Sequence, residues 1–118
     1  MGYESRLYIV EESNFLIPSD DGRRYAHVVG MIELCCCPNM IDVFTKDSNG
    51  YIYSDDGNTK IEIDCYGNPL MVADIDDVIN ALKDVIKNED YGRAKIAVDF
   101  LNSIKKNMPD CKVYHYGH

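Results

Sequence analysis

Three consecutive cysteines, Cys35, Cys36 and Cys37, halted by Pro38, are the residues of this chain best suited to chemistry. Thiolates bind zinc in a tetrahedron, and four nitrogen or sulfur ligands close a structural site. In a strand, successive side chains point to opposite faces, so Cys35 and Cys37 share one side and Cys36 takes the other. The outer pair can grip one ion while the middle thiol packs. Cys65 and Cys111 complete the expected ligand set of Cys35, Cys37, Cys65 and Cys111, with His27, His115 and His118 as further donors. Zinc suits a sulfur-rich set, and its expected role is structural, because no general base accompanies it. The competing reading is packing alone, since cysteine is a small hydrophobe that is often buried. The chain has no C-x-x-C pair to decide between them.

No other constellation promises a reaction. The signatures G-x-S-x-G, H-E-x-x-H and G-x-x-x-x-G-K-[ST] are absent. A nucleophilic cysteine needs a base and a lowered pKa, and nothing orders His27 or His115 beside a thiol. No catalytic residue is expected. Residues 45–56, TKDSNGYIYSDD, imitate a calcium loop. An EF-hand places Asp at the first position of its twelve-residue loop and a bidentate Glu at the last, between two helices. Here Thr45 and Asp56 stand at those positions and strand-like stretches flank them, so a hairpin turn accounts for the same residues.

The elements that must position these residues fall into two blocks. Residues 1–73 read as mainly β. A first strand at 5–12 sets Leu7 and Ile9 on one face and Tyr8 and Val10 on the other. A loop at 13–24 carries Pro18 and an Asp20, Asp21, Gly22 turn. The longest strand candidate is 25–37, with Ala26, Val28, Gly30, Ile32, Leu34 and Cys36 on its apolar, core-directed face. Short strands are expected at 40–45, 51–54 and 60–65. Asn49 and Gly50 form the pair that a type I′ hairpin prefers, and Ile61, Ile63 and Cys65 should face inward while Lys60, Glu62 and Asp64 face out.

Residues 74–108 read as a helical hairpin. Asp74 can cap the first helix, Asp76 and Asp77 suit its positive end, and Val78, Ile79, Leu82 and Val85 recur at helical spacing. The second helix, near 92–107, has the stripe Ala94, Ala97, Val98, Leu101 and Ile104, and Pro109 prevents its continuation. Residues 109–118 return as a strand. The expectation is a single α+β domain over 1–118, an antiparallel β-sheet with a two-helix hairpin packed on one face.

Charge supplies the remaining signal. The net charge is −8, and residues 1–77 hold fifteen acids against five bases while 78–118 hold five against seven. An acidic front half repels nucleic acid and favours a basic partner, so no direct nucleic-acid binding is expected; solubility is the simpler use of the same charge. No apolar run is long enough for a membrane span, and the opening residues have no basic stretch followed by an apolar one, so the expected location is cytoplasmic. Nine tyrosines and no tryptophan add side chains that serve equally in half-buried sheets and at interfaces.

Taken whole, a short acidic α+β chain that begins MGYESRLYIVEES, is rich in tyrosine and lacks a catalytic signature resembles the small orphan proteins of bacteriophages. Among those it is similar in character to anti-CRISPR proteins against type II effectors, some of which bind zinc. The resemblance is one of whole-chain character, so it transfers no residue roles. It implies a non-enzymatic inhibitor in the host bacterial cell that binds a basic surface of a Cas9-type RNA-guided nuclease and impedes nucleic-acid loading. Such nucleases hold nucleic acid in positively charged channels, toward which a negative partner is steered. The acidic sheet-side residues Asp42, Asp55, Asp56, Glu62 and Asp64 are the expected contacts. The competing functions are a structural or regulatory interaction domain with no nuclease partner, and a small thiol enzyme.

Overall fold

Alternation in ESRLYIVEE produces the first strand, β1 (Glu4–Glu12), and both of its faces are buried. The computed structural model describes residues 4–12, 24–35, 42–88 and 92–118. Residues 1–3, 13–23, 36–41 (with Cys36 and Cys37) and 89–91 lie outside these, as does the side chain of Cys35. The remaining elements are β2 (Arg24–Cys35), β3 (Lys46–Asp47), β4 (Gly50–Tyr53), β5 (Lys60–Ile61), β6 (Met71–Asp74), α1 (Ile75–Asn88), α2 (Gly92–Asn107) and β7 (Lys112–Gly117). The fold is α+β, as the sequence predicts, with a mostly antiparallel sheet ordered β3-β6-β7-β1-β2-β4-β5. The exception is β2 with β4, which pair in parallel over two residues.

The helices cover one side of the sheet. Leu7, Ile9, Leu34 and Val113 pack there against Val78, Leu82, Ala97 and Leu101. A second core lies on the other side, where Tyr8, Val10, Ala26, Ile52, Leu70 and Tyr114 come together. The sequence pattern predicts one core-directed face for β2, and the structure divides it. Ile9 stands opposite Gly30, but Val10 stands opposite Val28, so Val29 is an extra residue in β2. That β-bulge reverses the side on which later residues point. Ile32 and Leu34 therefore join the helix-side core, while Ala26 and Val28 join the second.

The second core exists because the sheet curls. β3 lies at one edge and β4 next to the opposite edge, five strand spacings apart, or about 24 Å in a flat sheet. Only Ser48 and Asn49 separate them, and that stretch of chain reaches roughly 10 Å. The edges must therefore approach each other. Asn49 turns the chain with φ of 50°, its N–H donating to Asp47 Oδ1 at 2.8 Å. Ser48 N–H then donates to the Leu70 carbonyl, and Arg24 N–H donates to the Asn49 carbonyl, both at 2.9 Å. Asn49 and Gly50 consequently make no hairpin: β3 pairs with β6 and β4 with β2.

Three further expectations need correction. Residues 42–45 form a turn and an irregular stretch rather than a strand, because Phe44 is buried against the ring of His115. Residues 60–65 pair as a strand only at Lys60 and Ile61, with one isolated bridge from Ile63 to Pro69. The predicted facing is reversed beyond Ile61: Ile63 and Cys65 are exposed and Asp64 is buried. Asp64 tolerates burial because its carboxylate accepts the N–H groups of Tyr66 and Asn68 at 2.8 and 3.0 Å. Finally, the carboxylate of Asp74, expected to cap α1, instead accepts from Lys112 Nζ at 2.5 Å. The helices fall where the sequence places them, and β7 inserts between β6 and β1.

Candidate metal centre

Three strands end at one corner of the sheet. Glu4 opens β1, Glu33 lies near the end of β2, and His118 follows β7. Reciprocal backbone bonds join Glu4 and His118, at 2.8 and 3.0 Å. Arg6 stands opposite Glu33 in the β1–β2 ladder. Its guanidinium donates to Glu33 Oε1 and lies 6.0 and 5.5 Å from the ring centres of Tyr8 and Tyr116. His118 Nε2 donates to the other oxygen, Glu33 Oε2, at 2.9 Å and lies 3.9 Å from Glu4 Oε2. One ligand atom from each of Glu4, Glu33 and His118 falls within 4.8 Å of the other two. The donors for a cation are thus one imidazole nitrogen and two carboxylate oxygens.

Burial works to raise the pKa of Glu33, but the hydrogen bonds from Arg6 and His118 outweigh it and hold the carboxyl below its usual range. Burial likewise opposes the charge on Arg6, and the hydrogen bonds to Tyr8 and Glu33 outweigh that too, so the guanidinium stays charged. The corner keeps its carboxylate ionised and oriented, as a metal ligand must be.

The thiols expected to bind zinc do not come together as a set. Cys65 is exposed and its N–H donates to the Gly117 carbonyl, at the end of β7 beside the corner. Cys111 is buried in the helix-side core just before β7 begins. The six residues from Cys111 to Gly117 span about 20 Å of strand, so Cys65 and Cys111 cannot share an ion. Burial pushes the Cys111 thiol pKa up, as suits a packing residue. Cys35 stands opposite Glu4 in the ladder, which places its backbone at the corner. Cys37 lies outside the described residues.

Sequence reasoning named His118 as a donor but missed Glu4 and Glu33. The two-residue step from Glu33 to Cys35 was the available signal, since alternation puts both on one face. The pairing of Glu4 with that end of β2 depends on a register no local pattern specifies.

His115 is a different case. Its Nε2 lies 2.8 Å from Ser5 Oγ, with Asp64 near enough to favour its charged form. Ser5, Asp64 and His115 are all buried, Ser5 to 2% exposure, so the hydroxyl has no access to substrate. The carboxylate of Asp64 is occupied by its own turn. This is a satisfied internal pair, not a nucleophile and its base. Burial lowers the His115 pKa, only partly offset by Asp64. The unfolded chain therefore binds a proton that the folded chain resists. The neutral imidazole's contribution is complete above the unfolded value of about 6.5 and is lost as pH falls toward and through the folded value. We expect the melting temperature to drop as pH is lowered from 7 toward 5. His115→Phe combined with Ser5→Ala should flatten that drop; an unchanged slope would count against the assignment.

The expected docking acids are also dispersed. Asp42 is exposed beside α1. Asp55 and Asp56 are exposed in the turn after β4, where Asp56 accepts from the Ser54 hydroxyl and from Asn58 N–H. Glu62 is half-buried and paired with Lys60 at 2.5 Å, and Asp64 is internal. A different acidic surface appears instead. Two depressions, of about 570 and 640 Å³, share Val43 and Asp77 as lining and form one groove along the sheet edge and α1. Six carboxylates line it: Glu12, Asp42, Asp47, Asp74, Asp77 and Asp84. Against them stand Arg24, Lys46 and Lys112, of which Lys112 is paired with Asp74.

No protein-family model, curated protein or solved structure matches this chain. Among the described residues no helix is long and apolar enough to cross a membrane.

Proposed function

We propose that the protein is a non-enzymatic binding module whose acidic groove docks on a basic protein surface. The observation that carries this reading is the excess of carboxylates along the groove, where Val43, Val72 and Ala81 supply an apolar floor between them. A floor of that kind gives contact area, and the acids give steering and register. The whole-chain likeness to type II anti-CRISPR proteins makes the positively charged nucleic-acid channel of a Cas9-type nuclease the partner to test first; occupying it would impede loading of guide or target. Zinc belongs to this reading as a structural ion at the sheet corner and takes no part in a reaction.

The test is retention of such a nuclease on the immobilised protein across a salt series. Binding is expected at low ionic strength and should weaken as salt screens the groove. Asp42→Asn with Asp84→Asn, both exposed and remote from the cores, should weaken it about five- to tenfold. No retention at low salt, or retention indifferent to both salt and groove charge, would overturn the proposal.

A further inference from the structure

We infer that Glu4, Glu33 and His118 form the site of a single divalent cation, with Arg6 as the residue that positions it. The inference rests on the structural-metal part of the proposed reading and gives that metal its ligands, which are not the thiols. The donor set of one nitrogen and two oxygens suits zinc, with manganese the nearest competitor, and does not suit a cation that demands only oxygen. An ion about 2.1 Å from each of two tetrahedral donors holds them about 3.4 Å apart. The separations from His118 Nε2 to Glu33 and Glu4, 2.9 and 3.9 Å, fall on either side of that value. Side-chain movements of about 0.5 Å bring both to it. The ion takes the place of the hydrogen bond from His118 Nε2 to Glu33 Oε2; Nε2 then presents its lone pair to the metal and the neutral ring carries its one proton on Nδ1.

Arg6 makes the arrangement specific. A free glutamate presents either oxygen, but the guanidinium occupies Glu33 Oε1 and leaves Oε2 toward His118. The rings of Tyr8 and Tyr116 flank Arg6, and Tyr8 is itself buried in the second core. The orientation of the ligand is thereby tied to the interior of the sheet. The side chains of Glu4, Glu33 and His118 are 41, 31 and 27% exposed, so water completes the coordination. The cation would join the ends of β1, β2 and β7.

Metal-stripped protein titrated with zinc chloride in a calorimeter, with melting temperature followed in parallel, provides the test. One equivalent should bind and raise the melting temperature. His118→Ala should abolish the stabilisation, and Arg6→Met should weaken affinity at least tenfold, with Arg6→Lys recovering only part because it lacks the fork. Cys65→Ser should bind as the parent does. Cobalt substituted for zinc should give a spectrum without the intense thiolate charge-transfer band. If zinc binds but His118→Ala and Arg6→Met bind it equally well, or the thiolate band is present, this ligand assignment is wrong while a structural metal survives. If neither zinc nor manganese binds the parent protein, the metal falls altogether, and the docking reading still stands or falls by its own salt series.

Discussion

Gly50→Ala is expected to lower the free energy of unfolding by about 3 kcal/mol, the upper part of the range for forcing atoms into a packed core. A methyl group at Gly50 would lie 2.3 Å from the hydroxyl of Tyr114 and 2.9 Å from its ring. Tyr114 cannot step aside, because it is 1% exposed in the second core and its hydroxyl donates to Glu12 at 2.9 Å. Yielding would break that bond and separate β4 from the sheet it closes. Gly30 offers the control. A methyl there would come within 2.5 Å of the Phe100 ring, but Phe100 is 37% exposed and can swing outward. Gly30→Ala should therefore cost less than about 1 kcal/mol. Urea unfolding of the two variants measures the difference, and equal losses would mean that the curl does not depend on the close approach at Gly50.

Asp64→Ala should have the second largest effect, a loss of about 2 kcal/mol, from removing a buried acceptor that serves two backbone donors. The carboxylate seats the turn at residues 64–68, where Gly67 takes φ of 82°, and the Asp64 N–H donates to the Asn68 carbonyl at 2.8 Å. Asp64→Asn keeps one acceptor oxygen and should lose about half as much. Thermal melts of both variants measure this. The same pair decides a functional point, because a docking residue would lose partner affinity in the folded asparagine variant. Unchanged retention of the basic partner by Asp64→Asn is the expected result.

What the sequence made legible was whatever repeats locally. Val78, Ile79, Leu82 and Val85 place α1, and Ala94, Ala97, Val98 and Leu101 place α2, because the helical period is written in neighbours. β1 and β7 are legible from alternation for the same reason. Long-range partners overruled the local pattern elsewhere. Asn49 has the chemistry of a hairpin turn and does adopt the left-handed conformation, yet the strands on its two sides bond to β6 and β2. The bulge at Val29 cannot be seen in YAHVVGMIEL, since it is a mismatch between two strands. The exposed Ile63 and internal Asp64 invert the usual order because a turn's amide groups need an acceptor. The candidate site was half legible: His118 was named as a donor, but the two glutamates depend on register.

The insertion of β7 between β6 and β1 bears on how the chain is made. Ser5 pairs with Gly117, almost the full length of the sequence away. On the ribosome, β1 and β2 emerge early, yet one edge of β1 stays open until residues 112–117 arrive. Contacts of such sequence separation fold slowly, and an unfilled strand slot invites pairing with other nascent chains. Acidic side chains crowded into the early-synthesised half would keep those waiting intermediates apart by mutual repulsion, a task finished before any partner is met.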